Sequence, residues 1–156
     1  MRLAHEEQRV VVFLEPIALY MTKDLHEEND GLWTFDYHAI KQHIKTNASS
    51  QLTVKAHGKS KDVCILSYGN GYYLSRQAQK ILKEQGVNAR VIDLRYLAPL
   101  DEQGILKEVK QCKNVFIVDE CRQTGSISEA LFTLIAESGY DLSLIHISEP
   151  TRPRSI

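Results

Sequence analysis

A chain of 156 residues, 43% hydrophobic and 25% charged, has room for one globular domain, or for one domain and part of another. Its formal net charge of -1 gives no global field toward nucleic acid or an anionic membrane, and no apolar run approaches the roughly 20 residues that span a bilayer. Cys64, Cys112 and Cys121 are odd in number and widely spaced, which fits reduced thiols in a cytoplasmic compartment rather than a disulfide framework or a zinc site.

Met1–Glu7 reads as the end of a helix, and Arg9–Glu15 as a strongly apolar strand stopped by Pro16. Both look like the last pieces of a preceding domain, with Met1 an internal methionine. Acidic residues ahead of so short an apolar stretch do not make a signal peptide. Residues 17–61 then lack a clear period, and 21–61 read as an interdomain connection. It carries an acidic cluster (Asp24, Glu27, Glu28, Asp30), one aromatic anchor (Trp33), a weak helix at Tyr37–Lys45, a strand at Gln51–Lys55 and a turn at Ala56–Lys61.

From Asp62 the signals sharpen. Val63–Ser67, Ala89–Leu94 and Val115–Val118 are short β-branched runs, too brief for helices and too apolar for surface loops. The helix after the first places Leu74, Ala78, Ile81 and Leu82 on one face and stops at Gly86, a left-handed cap. A second helix, Leu100–Lys110, takes Asp101 as its amino cap and Ile105, Leu106 and Val109 as its apolar face, with Gly104 weakening it. In a third, Ser126–Ser138, Ser126 and Glu129 form a capping box, Ile127, Ala130, Leu131, Leu134 and Ile135 the buried stripe, and Gly139 the stop. Strands alternating with amphipathic helices predict an α/β domain, a mostly parallel sheet with helices on both faces. Function in such sheets concentrates in the loops beyond the carboxyl ends of the strands. Here these are Ser67–Gly71, Arg95–Pro99 and Asp119–Arg122.

Each loop has a functional and a structural reading. Gly69-Asn70-Gly71 could cradle a phosphate at a helix amino end, but Leu74 stands where the dinucleotide fingerprint needs a third glycine, and a tight turn alone explains the glycines. Asp93 and Arg95 share one strand face and either pair with each other or reach a neighbouring domain. Asp119 and Glu120 could do acid–base work as a carboxylate pair, yet helix capping and interface contacts account for them equally. A nucleophilic Cys121 needs a nearby base or cation; Arg122 is adjacent in sequence, but adjacency fixes no side-chain geometry.

The last fifteen residues break the preceding patterns. Leu142–Arg152, LSLIHISEPTR, reads as the translation of a sequencing-library adapter, so residues 142–156 are set aside as a probable artefactual tail. The other reading is a genuine final strand at Leu142–Ile147. Even an accidental apolar segment can occupy a vacant sheet edge.

Four stretches in order, VVVFLEPIALY (Val10–Tyr20), DVCILSYGNG (Asp62–Gly71), GVNARVIDLRYLAPLD (Gly86–Asp101) and VFIVDECRQTGSISEALFTLIAE (Val115–Glu137), resemble the beta subunit of the thiamine-diphosphate-dependent 2-oxo-acid dehydrogenases, branched-chain or pyruvate type. The resemblance implies that residues 1–20 end a pyrimidine-binding domain and 62–141 are most of a transketolase-type carboxyl-terminal domain, incomplete at both ends. It implies thiamine diphosphate and magnesium in the parent enzyme, with none bound by this portion, whose part is assembly rather than catalysis. Implied partners are an alpha subunit or fused alpha half, a second beta subunit, and an acyltransferase core with its lipoyl domain. The implied location is the cytoplasm, or the mitochondrial matrix in a eukaryote. No catalytic residue is assigned; Tyr68, Gly69, Gly71, Arg95, Tyr96, Asp119, Glu120 and Arg122 are the candidates for an interface or an active-site entrance. Departures from the family are the long acidic connection, Ser126 in place of a glycine, and the missing last strand and helix. Alternatives are the carboxyl-terminal domain of transketolase or deoxyxylulose-phosphate synthase, and a non-enzymatic Rossmann-like docking or nucleotide-binding module.

Overall fold

In a computed structural model, residues 5, 8, 10–34, 53–122, 124–139 and 143–148 are described. The expected helix at Tyr37–Lys45 and nearly all of Met1–Glu7 lie outside them. The elements run β1 (Val54–His57), β2 (Val63–Ser67), α1 (Gly69–Glu84), β3 (Ala89–Leu94), α2 (Glu102–Val109), β4 (Asn114–Asp119), α3 (Ile127–Glu137) and β5 (Ser143–Ser148). They form a five-stranded sheet in the order β1-β3-β2-β4-β5. β3, β2, β4 and β5 are mutually parallel; β1 lies antiparallel on β3, Val54 opposite Leu94 and His57 opposite Val91.

Alternation along the strands sorts the core onto two faces. Cys64, Leu66, Ile92, Leu94, Val115 and Ile117 pack with Ile105 and Val109 of α2 and Leu131 and Ile135 of α3. Ile65, Ala89 and Val91 pack on the other side with Tyr72 of α1, joined by Val63, Phe116, Val118, Leu82 and Trp33. The expected α/β architecture with helices on both faces is therefore present.

Several expectations need correction. Val10–Glu15, the described part of the expected strand Arg9–Glu15, is not a strand. Val10 to Leu14 are exposed and outside regular structure, because an extended apolar run needs a neighbouring strand for its backbone groups and none pairs with it among the described residues. The first edge strand begins at Val54 and continues through His57, into the region read as a turn. On α1 the inward residues are Gly71, Tyr72 and Ser75, whereas Leu74 and Ile81 are 48% and 57% exposed. The helix is apolar on two sides, and the side with small residues is the one whose backbone can approach the sheet closely. Ala130 of α3 likewise faces outward, with Ser128 buried instead.

The capping box of α3 does not form. Ser126 Oγ bonds Ser128 Oγ, and the backbone N–H of Ser128 donates to Asp119 Oδ2 at 3.3 Å, so the cap comes from the end of β4. By contrast Asp101 caps α2 as expected, accepting from the Gly104 N–H at 2.9 Å. A Cβ on Gly104 would meet Asp101 Oδ2 at 2.3 Å. The glycine that weakens α2 by propensity is what lets its cap close. β5 pairs in parallel with β4, Asn114 opposite Ser143 and Asp119 opposite Ser148, so the segment set aside from residue 142 does occupy the sheet edge.

The acidic connection is also ordered by its own carboxylates. Asp30 accepts from the N–H groups of Leu25, His26, Glu27 and Leu32, and Asp24 from those of Asn29 and Gly31. These bonds hold the Asp30 carboxyl well below the usual carboxylate range, against the cost of desolvation. The loop docks on α1 through buried Leu25, through Tyr73 and Gln77, which donate to the Asp24 and Leu25 carbonyls, and through Trp33, whose ring lies 5.3 Å from Tyr72 and 4.8 Å from Tyr73.

Candidate functional site

From β2 the chain leaves through α1 toward one face, and from β4 through α3 toward the other. The adjacent loops therefore diverge, which opens the crevice where doubly wound sheets receive ligands. In this molecule the crevice is bridged by its own side chains. Tyr68 Oη donates to Asp119 Oδ1 at 2.7 Å, Asn70 Nδ2 to Glu120 Oε1 at 2.6 Å, and Ser67 Oγ to the Val118 carbonyl at 2.9 Å. Burial, and next the bond to Asp119, push the Tyr68 phenol up, so it stays a protonated donor. Asp119 is 3% exposed and Glu120 lies on the surface, each with a different partner, so they do not form a carboxylate pair for proton transfer.

The glycine turn is filled in the same way. A Cβ on Gly71 would sit 2.6 Å from Ser67 Oγ, and one on Gly69, at φ +54°, would touch Pro16 Cγ at 3.4 Å. Pro16 thus lies over the first glycine and Ser67 under the second. Gly71→Ala is expected to cost about 1–3 kcal/mol through overpacking. Ser67→Ala added to it restores most of that loss, because it removes the colliding oxygen. Urea denaturation of the two single variants and the double variant measures this coupling.

The remaining candidates are not gathered into this crevice. Arg95 donates from Nε to Asp93 Oδ2 at 2.9 Å, which is the local pairing. Tyr96 is 41% exposed, and Arg122 is exposed beside Gly125. Sequence reasoning missed the group that surrounds Asp93 on the α1 face: Lys55, His57, Tyr72 and Arg76, from β1 and α1. Arg76 donates to Tyr72 Oη at 3.1 Å, and His57 stacks 5.9 Å from the same ring. Burial, then the charges of Arg76, Lys55 and Arg95, depress the His57 imidazole to about 4. Only the alternation of Lys55 and His57 along β1 could have signalled this, and β1 itself was half hidden in an expected turn.

A histidine held below its unfolded value of about 6.5 is neutral in the fold and takes up a proton on unfolding. Stability is therefore complete above about pH 6.5 and falls as pH drops toward about 4, by about 1–2 kcal/mol once solvent screening at a half-buried ring is allowed for. His57→Gln is expected to flatten that slope in a series of chemical denaturations from pH 7 to 4.

Comparison with known proteins follows this architecture. The family model described as "Transketolase, C-terminal domain" matches residues 52–155, and the chain belongs to that family. It is 32% identical over 131 residues to the pyruvate dehydrogenase E1 component subunit beta of Chlorokybus atmophyticus, covering 84% of this chain and 34% of that protein. It is 32% identical over 94 residues to the acetoin:2,6-dichlorophenolindophenol oxidoreductase subunit beta of Bacillus subtilis (60% and 28% covered). It is 36% identical over 78 residues to the 1-deoxy-D-xylulose-5-phosphate synthase of Halothermothrix orenii (50% and 12% covered). The chain thus spans about a third or less of the length of these relatives. A solved split-gene transketolase, described as an inactive beta4 tetramer, shares the fold with a TM-score of 0.59 at 22% identity, over 65% of this chain and 34% of that one.

Among the described residues no three His, Cys, Asp or Glu side chains gather in a way that could hold a metal ion, and the glycine turn at the start of α1 is packed by Pro16 and Ser67. No membrane-length apolar helix occurs among them either.

Proposed function

We propose that this chain supplies the carboxyl-terminal domain of the decarboxylating component of a 2-oxo-acid dehydrogenase, where it serves assembly. The parent would oxidatively decarboxylate a 2-oxo acid with thiamine diphosphate and magnesium held by other parts of the enzyme. It would then pass the acyl group to a lipoyl domain on an acyltransferase core. The observation that carries the reading is the bridged crevice. Where this architecture ordinarily receives a ligand, Tyr68–Asp119 and Asn70–Glu120 tie the two loops together. Meanwhile the outward stripe of Leu74 and Ile81 on α1 offers apolar surface of the kind that packs against another subunit.

On this reading residues 1–20 belong to a pyrimidine-binding domain, 21–61 join the two domains, and the partners are an alpha subunit and a second beta subunit. Tyr96, Arg95 and Arg122 lie at the interface or beside the active-site entrance. Sedimentation velocity with the purified alpha subunit of a pyruvate dehydrogenase E1 tests this. Co-sedimentation or concentration-dependent self-association that Leu74→Glu plus Ile81→Glu abolishes is expected. A chain that stays monomeric and free of the alpha subunit at all concentrations contradicts it.

A further inference from the structure

At the opposite end of the sheet from the bridged crevice, beside the amino ends of β2 and β3, lies a cavity of about 740 Å3. This falls in the range of about 300–1,000 Å3 typical of small-molecule sites. Its walls come from four places distant in sequence: His26 of the acidic connection, the end of β1 with the β1–β2 loop, α1 from Arg76 to Lys83, and Asn88 and Ala89 at the start of β3.

The walls are built rather than incidental. Gln79 Nε2 donates to the His57 carbonyl at 3.2 Å and to the Ala89 carbonyl at 2.8 Å, tying α1 to both strands. Gly58, at φ +91°, lies so close that a Cβ there would meet Ala89 O and Gln79 Nε2 at 2.8 Å each. Ser60 Oγ accepts from the Asp62 N–H and donates to the Asn88 carbonyl, and the Lys113 N–H donates to the Lys61 carbonyl at 3.0 Å. The rim is therefore fixed on two sides.

What this frame presents is positive charge. Lys59, Lys61, Arg76, Lys80 and Lys83 line the cavity with a single carboxylate, Asp62. Lys80 is engaged by Glu27 at 2.8 Å, but Lys59, Lys61, Arg76 and Lys83 have no ion-pair partner among the described residues. Arg76 Nε and His57 Nε2 are buried there without a hydrogen-bond partner. Asp93, on the same face of the sheet, accepts from Arg95. In a chain of net charge -1 such a concentration does not follow from a generally basic surface. The lining holds no Trp, Tyr or Phe ring; its rings are the imidazoles of His26 and His57.

We propose that this cavity binds a small anion carrying two or more adjacent phosphate groups, gripped through its phosphates by Lys59, Lys61, Arg76 and Lys83. Lysine and arginine supply the charge-assisted donors that such oxygens require, and their spread around one concave wall lets several act on a single ligand. The assignment is independent of the assembly reading above.

Isothermal titration of the full chain with inorganic tripolyphosphate, diphosphate and monophosphate at 0.15 M salt tests it. One saturable site per chain is expected, tightest for tripolyphosphate and weakest for monophosphate. Lys59→Glu plus Lys61→Glu is expected to weaken tripolyphosphate about tenfold or more, the loss of at least one charge-assisted contact. Lys107→Glu plus Arg122→Glu makes the same change in net charge at exposed positions on α2 and in the β4–α3 loop, outside the cavity lining, and is expected to leave affinity within about twofold, as screening at this salt implies. Absence of a saturable site overturns the proposal. So does equal affinity for mono- and tripolyphosphate, or equal loss in both charge-reversed variants, each checked for an unchanged melting curve.

Discussion

Asp119→Ala is expected to lower the unfolding free energy by about 3 kcal/mol, the sum expected when two buried donors lose their acceptor. Asp119 joins three elements: it ends β4, accepts the Tyr68 phenol from the β2–α1 junction at 2.7 Å, and caps α3 through the Ser128 N–H at 3.3 Å. At 3% exposure no water compensates for the missing carboxyl. Tyr68→Phe removes one donor and leaves the cap, so it should cost about 1 kcal/mol. The double variant should then be less destabilised than the two losses added, because they share one bond. Equilibrium urea unfolding of the three variants measures this. Strict additivity would show that the Tyr68–Asp119 bridge does not stabilise the crevice.

The second large effect lies on the other face. Arg90, 8% exposed at its side chain, pairs with Glu108 of α2, and its Nε has no partner among the described residues. Glu108→Ala strands a buried guanidinium and is expected to cost about 3–4 kcal/mol. Arg90→Met fills the same volume without a charge and should lie within about 1 kcal/mol of the parent chain. Thermal and chemical denaturation of both variants gives the comparison. Equal losses in the two would mean that the ion pair itself, rather than the avoidance of an unpaired charge, holds α2 to the sheet.

What could be read from the sequence was what local pattern determines. β2 and β3 have the bounds that their β-branched runs announce, and Gly86 and Asp101 end and begin helices as their chemistry requires. The errors arise where distant residues decide. Ser126 and Glu129 have capping-box spacing, but Asp119 arrives from a neighbouring strand end and takes the amide instead. Leu74 and Ile81 are apolar at helical period, yet the small residues Gly71 and Ser75 let the opposite side of α1 reach the sheet. Val10–Glu15 has strand composition without a strand beside it among the described residues, and β5 has a place because β4 offers an open parallel edge.

The candidate residues divided in the same way. Tyr68, Asp119 and Glu120 come together because their strands are neighbours, although they are 51 or so residues apart in the chain. Arg95 and Tyr96 end a strand on the far side of β2 and stay apart from them. The basic cavity was invisible because Lys59 and Lys61 meet Arg76, Lys80 and Lys83 only after β2 and α1 fold back on each other.

In the end one observation decides whether this domain stands apart from the chemistry of its parent. The purified chain is supplied with thiamine diphosphate, magnesium and pyruvate or a branched 2-oxo acid, and carbon dioxide release is followed. The account predicts no release above the protein-free rate; saturable, thiamine-diphosphate-dependent decarboxylation by this chain alone would contradict it.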